Sequence, residues 1–393
     1  MGSRELEREV GSERAIAIRR QALERITGKP LSTLGMVPTN MQHQGRNAEN
    51  VVGAVTVPVG VVGPLPVHGS DGLDQHYIPL ATTEGSLIAS VGRGVKAIRQ
   101  SGAVTATVWH DGMTRAPLFV ADSITSALDF VRWVEENDTH ICEVANATTH
   151  FGRVQRVLPF TVANNIWLRI EMASGDAMGM NMVTIAADAV TSMIASEYPN
   201  VRCIAVSGNL CSDKKESAVN NLFGRGKSVS ADVLIPAAVL QTVLHTTAAA
   251  VCDLNTRKNL LGSAFAGSSK FNAHFANIVA AVFLATGQDI AEVVESSSGY
   301  TWAEDRGGDL YFGITMPSLE VGTVGGGTQL APQSEALGLM GVHRSGSTPG
   351  QSSVRFAEVL CAVTLAGELN VLCALSAGRF SEAHRRLGRG EAP

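Results

Sequence analysis

The segment from residue 117 to residue 206 most constrains the fold, because one order of strands and helices runs through it. An apolar strand, PLFVA, precedes an amphipathic helix that Asp122 or Ser123 can cap. The strands GRVQRVLPFTVA and NIWLRIEMAS follow, then a helix predicted from Asp176 to about Ser196 and a strand, VRCIAVSG. The order β-α-β-β-α-β predicts a ferredoxin-like fold for this segment.

The sequence on either side of this segment predicts several helices, so residues 117 to 206 have the pattern of an inserted unit. Residues 4 to 27 have the pattern of a charged amphipathic helix, whereas residues 272 to 286 and 350 to 378 are apolar enough for core helices. Residues 49 to 67 carry glycine and proline at a density that disfavours a regular strand or helix. Shorter helices are predicted at residues 216–223 and 235–250.

Composition and charge exclude several functional classes. The 393 residues are 45% apolar and 17% charged, as in a globular protein, and the net charge of −5 gives no electrostatic case for a nucleic-acid partner. The six cysteines form no CxxC pair, so we expect free thiols and no metal site. The charged N-terminus does not resemble a signal peptide, and apolar stretches such as 277 to 286 are too short to cross a bilayer. A cytoplasmic protein without membrane contact is therefore expected.

Two glycine-rich motifs are candidates for binding an anion. GDAMGMN (175–181) joins a strand to a helix, and its glycines leave room for a phosphate near the free N–H groups of the helix N-terminus. GTVGGGT (322–328) can expose consecutive backbone N–H groups as an anion nest. Each pattern alone also fits a structural role, as a helix cap or as a plain loop.

Charged side chains supply candidates for catalysis. In SGNLCSDKKE (207–216), one of two adjacent lysines can polarise a carbonyl while Asp213 orients it, although a solvated loop has the same composition. Asp289 follows an apolar helix and Gly287, so we expect it to be part-buried and paired with a lysine, unless it only caps a turn. His384, on the polar tail, is either solvated or a mobile proton donor that closes over a site.

Two further positions have a helical context. Thr82 or Thr83 can cap a helix, which would place Glu84 beside the positive end of the helix dipole. His274 and Asn277, at positions i and i+3, would share one helix face. These patterns predict a location but not a role.

The combination of these motifs is more specific than any one of them. In chain order they are ENVVGAVTVPVGVVGPL, ATTEGSLIAS, DGMTR, GDAMGMN, SGNLCSDKK, NAHFANIVAAVFLATGQD, MPSLEVGTVGGGT and LAGELNVLCALSAG. Together they closely resemble hydroxymethylglutaryl-CoA reductase, over about residues 10 to 385. DAMGMN and the SDKK loop resemble the class found in eukaryotes, archaea and some bacteria, rather than the second bacterial class.

The resemblance implies a fold, its domains and a reaction. The implied fold class is α+β, with a large, mainly helical domain that carries the inserted ferredoxin-like domain. After an N-terminal helical segment (1–48), a large domain (49–116 and 207–378) would bind the substrate and form a homodimer or higher homo-oligomer. Its active sites would lie between subunits, with ENVVG at the interface. The insertion (117–206) would bind NADP(H), and a tail (379–393) would carry a catalytic histidine. The implied reaction is the reduction of hydroxymethylglutaryl-CoA by two NADPH, through a hemithioacetal and mevaldehyde, to mevalonate and CoA.

The matching motifs imply roles residue by residue. Lys214 would stabilise the hemithioacetal oxyanion, and His384 would protonate the departing thiolate. Glu84, with its pKa raised by burial and by Asp289, would donate a proton to the aldehyde. Positions that hold the acyl substrate or support these groups match Ser90, Arg115, Ser207, Asp213, Lys215, Lys258, His274 and Asn277, and Arg93 matches a CoA contact. The cofactor pocket matches Asp176, Met178, Gly179, Met180, Asn181, Gly325, Gly326 and Gly327.

The chain departs from the family pattern at the phosphate end of the cofactor. Where the family commonly has Ser-Arg-Phe, this chain has Thr149-His150-Phe151, and a neutral histidine is a poorer phosphate partner than arginine. NADH is therefore an alternative to NADPH. Gly92 stands where some members carry an asparagine near CoA. The alternative functions are reduction of another acyl-CoA on the same fold and, more remotely, non-catalytic binding of CoA or a nucleotide.

Overall fold

In the computed structural model, residues 3–34, 48–343 and 347–378 are described, and they form a sheet of ten strands flanked by helices. The strands are β1 (Val59–Gly69), β2 (Gly72–Ala81), β3 (Val104–Arg115), β4 (Leu118–Ala121), β5 (Arg153–Val162), β6 (Asn165–Ala173), β7 (Val201–Ala205), β8 (Gly226–Ile235), β9 (Tyr300–Arg306) and β10 (Asp309–Leu319). The α-helices are α1 (Ser3–Val10), α2 (Ser12–Thr27), α3 (Leu87–Ser101), α4 (Ile124–Glu136), α5 (Asp138–Asn146), α6 (Met180–Glu197), α7 (Ala218–Phe223), α8 (Ala237–Val239), α9 (Ala248–Leu254), α10 (Ser263–Ala266), α11 (Phe275–Thr286), α12 (Val293–Ser296), α13 (Ala331–Leu339) and α14 (Gln351–Ser376). Short π-helices continue α8 and α9, as Leu240–Leu244 and Asn255–Gly262, and 3₁₀ turns cover Ile290–Glu292 and Gly326–Gln329.

The larger hydrophobic core lies around α14, which packs against α3, α11 and strands β3 and β8. Nearly all side chains of α14 are buried, as predicted for a core helix at residues 350–378. With 26 residues, α14 is also long and apolar enough to span a membrane, which corrects the expectation that every apolar stretch is too short. Of its apolar window, 83% is buried inside the protein, as in a core helix. A bent helix pair, Ala237–Leu244 with Ala248–Ala266, passes the same test if it is counted as one span.

A second hydrophobic core lies within the predicted insertion and is built from β4 to β7 with α4, α5 and α6. These four strands are antiparallel in the order β7-β4-β6-β5, and the end of β3 pairs with β6. The predicted succession of strands and helices is present, with the first helical stretch divided into α4 and α5. Ser123 caps α4, since its Oγ accepts the Ser126 N–H at 3.1 Å.

Residues 59 to 69 form strand β1, which corrects the prediction that glycine and proline exclude regular structure throughout 49 to 67. The register between β1 and β2 shifts between Val62 and Leu65, around the cis peptide bond Gly63–Pro64. Proline is tolerated at such a bulge, because its missing N–H removes no ladder hydrogen bond there.

Two predicted helices are divided at residues with positive φ. The N-terminal helix is interrupted at Gly11 (φ 81°), and the segment 235–250 turns at His245 (φ 58°). A left-handed residue cannot continue a right-handed helix, so the hydrogen-bond ladder ends at each of them. Helix α11 begins at Phe275 rather than at Asn272, but its apolar side chains are buried as predicted.

Candidate active site

Lys214 and Asp289 form an ion pair at one end of α11. This helix ends at the left-handed Gly287 (φ 71°), and Asp289 Oδ1 then accepts the Ala291 N–H at 3.1 Å. The Lys214 Nζ atom, on the loop after β7, lies 2.9 Å from Asp289 Oδ2. The hydrogen bond with Asp289 raises the pKa of Lys214 above its ordinary value. The predicted lysine partner of Asp289 is therefore Lys214, but Asp289 is more exposed than predicted, at 39% of its side chain.

The same loop brings together four other predicted site residues. Arg115 Nη1, at the end of β3, donates to Asp213 Oδ2 at 3.2 Å and to Ser207 Oγ at 3.3 Å. Lys215 is exposed, and its Nζ donates to the Asp213 carbonyl at 3.1 Å. Burial alone would raise the pKa of Asp213, but the guanidinium groups of Arg225 and Arg115 hold it below its ordinary value.

Sequence patterns did not indicate Arg225, a fully buried arginine beneath this loop. Its guanidinium group contacts four carboxylates: Asp213 at 3.1 Å, Glu292 at 3.3 Å, Glu295 at 2.8 Å, and Glu320. Burial and the neighbouring Glu292 raise the pKa of Glu295 to about 7, and burial raises that of Glu320 well above its ordinary value. The available signal was a set of glutamates inside apolar segments, AEVVESS and SLEVG, where an ionised carboxylate demands a buried partner.

A cavity of about 260 Å³ lies at the other end of α11. Its lining includes six residues predicted for the site: Glu84, Ser90, Arg93, Lys258, His274 and Asn277. Asn277 Nδ2 donates to Glu84 Oε1 at 3.2 Å, and the cavity also contains Asn370, whose Nδ2 donates to Ser90 Oγ at 2.8 Å. Asn370 was not predicted, although it lies in the LAGELNV string.

The local setting of Glu84 differs from the prediction. Helix α3 begins at Leu87, and its first-turn cap, Ser86 (φ 76°), makes no side-chain capping bond. Thr82 caps no helix; its Oγ1 accepts the Glu84 N–H at 2.9 Å instead. Glu84 is exposed in the single chain, so the burial expected for a protonated carboxyl is not provided by its own chain.

Glu368, which the sequence analysis also missed, holds the backbone and side chains beside this cavity. It is fully buried in α14, and its carboxylate accepts the N–H groups of Ala273 at 2.7 Å and His274 at 3.1 Å. The Glu368 carboxylate also accepts a hydrogen bond from Nδ2 of Asn259, the residue after Lys258, at 3.1 Å. His274 therefore precedes α11 as its cap residue rather than lying on a helix face, and its Nε2 is buried without a hydrogen-bond partner among the described residues.

The two groups of site residues are separated by the length of α11. Asn277, bonded to Glu84, lies in the first turn, whereas Asp289, bonded to Lys214, lies beyond the last turn. Twelve helical residues span about 18 Å at 1.5 Å per residue. Glu84 and Lys214 therefore do not share one site within a single chain.

The two glycine-rich motifs contact each other, but Asp176 has a different partner from the one predicted. The Thr323 N–H donates to the Asp176 carbonyl at 2.7 Å, which joins GTVGGG to DAMGMN. The Asp176 carboxylate does not cap α6; it caps α14, by accepting the N–H groups of Gly350 at 2.9 Å and Ser353 at 3.0 Å. Helix α6 begins at Met180, and its cap residue is Gly179 (φ 99°), which offers no side-chain acceptor.

The remaining cofactor candidates lie near this junction. Met178 precedes α6, and Met180 and Asn181 form its first turn. A Cβ atom on Gly327 would lie 2.5 Å from the Gly287 carbonyl oxygen, so GTVGGG packs directly on the turn that leads to Asp289.

His150 is exposed on the loop between α5 and β5, which lies against the DAMGMN segment. A Cβ atom on Gly175 would lie 3.5 Å from the Phe151 carbonyl oxygen, and Thr149 Oγ1 lies 3.5 Å from Met182 Sδ in α6. His384 falls outside the described residues.

Comparison with known proteins identifies the family. A family model described as hydroxymethylglutaryl-coenzyme A reductase matches residues 15–389. The chain belongs to this family. A 3-hydroxy-3-methylglutaryl-coenzyme A reductase of Aeropyrum pernix is 51% identical over 388 residues, which cover 98% of this chain and 92% of the relative. That of Pyrococcus abyssi is 48% identical, with 98% of this chain and 96% of the relative covered.

A solved structure of a family member has the same fold. The class II 3-hydroxy-3-methylglutaryl-CoA reductase from Streptococcus pneumoniae, bound to NADPH, matches with a TM-score of 0.69 at 19% identity, over 95% of this chain and 96% of that chain. Reductase 1 of Gossypium hirsutum is 44% identical over 383 residues, 96% of this chain and 65% of the relative. The higher identity to these curated reductases than to the class II enzyme agrees with the class predicted from DAMGMN and SDKK.

Proposed function

We propose that the chain catalyses the NADPH-dependent reduction of (S)-hydroxymethylglutaryl-CoA to mevalonate and CoA. The family match over residues 15–389 supports the reaction. The observation that carries the assignment of the site is the distance of 2.9 Å between Lys214 Nζ and Asp289 Oδ2. An ammonium group held by a carboxylate at a partly exposed position suits the stabilisation of an oxyanion, which thioester reduction requires.

The reaction takes two hydrides and two protons. Bound NADPH supplies the hydride of each step. Lys214 stabilises the hemithioacetal oxyanion, and His384 protonates the CoA thiolate when the C–S bond breaks. Glu84 donates a proton to the mevaldehyde oxygen as it becomes the alcohol. Lys215, exposed beside Asp213, is suited to bind the terminal carboxylate of the acyl group.

Complete sites require a second copy of the chain, so we infer a homodimer or a higher homo-oligomer. Because Glu84 and Lys214 lie at opposite ends of α11, two chains that each contribute one end would form two equivalent sites. The second chain would also cover Glu84, which is exposed in the single chain. Exposed apolar side chains support such an interface: Val55 is 80% and Val59 57% exposed, and Ile290, next to Asp289, is 51% exposed.

The residues near DAMGMN fit a dinucleotide. The 18-residue helix α6 begins after Gly179 without a side-chain cap, so its first N–H groups are available to a phosphate. Gly325 (φ 80°) and Gly326 (φ 53°) have no neighbouring atom within 4 Å of a Cβ position, so there is room for a ligand beside this turn. Gly327 packs on Gly287, so the GTVGGG loop that would hold the cofactor lies beside the turn that leads to Asp289.

The domain boundaries expected from the sequence remain part of the proposal. The strand order β7-β4-β6-β5 and a separate hydrophobic core support a ferredoxin-like cofactor domain at 117–206. The flanking residues 49–116 and 207–378 would form the substrate-binding and dimerisation domain, between an N-terminal segment (1–48) and a tail (379–393). Six free cysteines support a cytoplasmic location.

One assay tests the reaction and its alternatives. The purified chain is mixed with hydroxymethylglutaryl-CoA and either NADPH or NADH, and nicotinamide absorbance and free CoA thiol are followed together. We expect oxidation of two cofactors for each thiol released, with NADPH preferred. Absence of oxidation with both cofactors would leave only a CoA- or nucleotide-binding function. Faster reduction of a different acyl-CoA would assign the chain to that substrate instead.

A further inference from the structure

The backbone of Lys214 has a left-handed conformation. Its φ is 56°, in the left-handed region that disfavours residues with a Cβ atom. Ser212, two residues earlier, is also left-handed, with φ 50°. No helix or strand covers the stretch between β7 and α7, so contacts from elsewhere must hold this conformation.

A buried carboxylate holds the Lys214 backbone. The Lys214 N–H donates to Glu295 Oε1 at 2.6 Å, and the Glu295 side chain on α12 is fully buried. The same stretch of chain holds the lysine side chain, since Nζ lies 2.9 Å from Asp289 Oδ2 and 4.0 Å from Glu292 Oε1. The backbone and the ammonium group of Lys214 are thus fixed by neighbouring turns.

Arg225 binds both Glu295 and the loop that carries Lys214. Its Nη1 lies 2.8 Å from Glu295 Oε1, the atom that accepts the Lys214 N–H. Its Nη2 lies 3.1 Å from Oδ1 of Asp213, the residue before Lys214. Because Arg225 and Glu295 are both fully buried, water cannot easily replace either partner.

We propose that Glu295 is a positioning residue for Lys214: its carboxylate, held by Arg225, keeps the Lys214 backbone in the left-handed conformation that directs Nζ to Asp289. The inference rests on the function proposed above, in which Lys214 stabilises an oxyanion. Being fully buried, Glu295 acts through Lys214 rather than on the substrate. Loss of its hydrogen bond displaces a transition-state contact, so kcat falls while the KM for NADPH changes little.

Two neutral variants isolate this hydrogen bond. Glu295→Gln and Glu295→Met remove the same charge and have similar length, but only glutamine keeps an oxygen that can accept the Lys214 N–H. We expect Glu295→Met to lower kcat by about 100-fold, as for a catalytic group misplaced by about 1 Å. Glu295→Gln should stay within about threefold of the unchanged chain, because the acceptor remains.

The matched control is Glu358, another buried glutamate, which accepts the Ser70 N–H at 3.1 Å away from the loop. Glu358→Gln and Glu358→Met should have the same kcat as each other, even where their melting temperatures fall. Equal kcat values for the two Glu295 variants, or a loss confined to the KM for NADPH, would overturn the proposal.

Residue-resolved amide hydrogen exchange on the unchanged chain tests the same contact if the Glu295 variants do not fold. The Lys214 amide should exchange slowly, since its N–H is bonded to a buried carboxylate. Exchange at the rate of an open loop would exclude the positioning role. The exchange result does not depend on turnover, so it stands apart from the question of whether the unchanged chain reduces hydroxymethylglutaryl-CoA.

Discussion

Asn277 Nδ2 donates to Glu84 Oε1 at 3.2 Å, which ties Glu84 to the N-terminal end of α11. The Lys214–Asp289 pair lies beyond the C-terminal end of the same helix. Helix α11 has twelve residues, most of them buried, and is about 18 Å long, which is more than a side-chain rearrangement can span. The Glu84–Asn277 and Lys214–Asp289 pairs therefore lie at opposite ends of one helix, and the proposed homodimer would combine one end from each chain.

Mixing two inactive chains should restore activity if the half-sites combine between subunits. Glu84→Gln and Lys214→Ala each remove one half-site, and a mixed dimer regains one intact site from the unaltered halves. Random exchange of equal amounts gives half mixed dimers, so we expect about a quarter of the unaltered activity. The measurement is turnover after the two proteins are unfolded together and refolded. A mixture no more active than its components would place both residues in one chain's site.

Lys214→Ala should abolish turnover without disturbing the fold. Removing an oxyanion-stabilising donor costs about 100- to 1000-fold in kcat. The Lys214 side chain is 43% exposed, so its removal leaves little unfilled space in the core. We therefore expect the melting temperature of Lys214→Ala to differ from that of the unaltered chain by less than about 3 °C. Lys29→Ala, at an exposed lysine outside the site, is the control and should keep full activity. Near-normal turnover in Lys214→Ala would remove Lys214 from the mechanism.

Asp289→Asn should move the basic limb of the kcat–pH profile to lower pH. The hydrogen bond with Asp289 raises the pKa of Lys214, and the lysine must be protonated to stabilise an oxyanion. Activity therefore persists up to the raised pKa and falls above it. Without the Asp289 charge that pKa is lower, so the fall begins at lower pH. A basic limb at the same pH in both proteins would show that another group controls it.

Asp176→Ala should reduce stability more than it reduces cofactor binding. Its carboxylate accepts the N–H groups of Gly350 and Ser353 at the start of α14, and loss of a helix cap costs about 1–2 kcal/mol. Urea unfolding measures this change, and Asp253→Ala, which breaks an exposed i, i+4 pair, should cost less than about 0.5 kcal/mol. An unchanged free energy of unfolding with a raised KM for NADPH would assign Asp176 to the cofactor instead.

His150→Arg should lower the KM for NADPH relative to NADH. An added guanidinium group near the cofactor's 2′-phosphate contributes about 1.4 kcal/mol, or about tenfold in the ratio of the two KM values. His140→Arg, on the exposed face of α5 and paired with Glu197, is the matched control and should leave the ratio unchanged. The same ratio in His150→Arg as in the unaltered chain would place His150 away from the phosphate.

Local patterns predicted the core helices, whereas most candidate site residues were assigned only through the resemblance of the motifs to the family. Apolar runs identified α11 and α14, and the order of strands and helices in 117–206 was found as expected, because both depend on short-range periodicity. Helix starts were less well predicted. Asp176 is a residue type that often caps helices, and it lies shortly before α6 in the sequence. It caps α14 instead, by accepting the N–H of Gly350, 174 positions further along the chain. No local sequence pattern indicates this distant partner.

The sequence by itself determined the family, the motifs and the chemical groups available, since each depends on residue type and order. Only the tertiary structure decided how those groups combine. It paired Lys214 with Asp289, buried Arg225 among four carboxylates, and set Glu84 at the opposite end of α11 from Lys214. The physical reason is that buried charges take partners from segments far apart in the chain, and packing of the core, not spacing in the sequence, determines which segments meet.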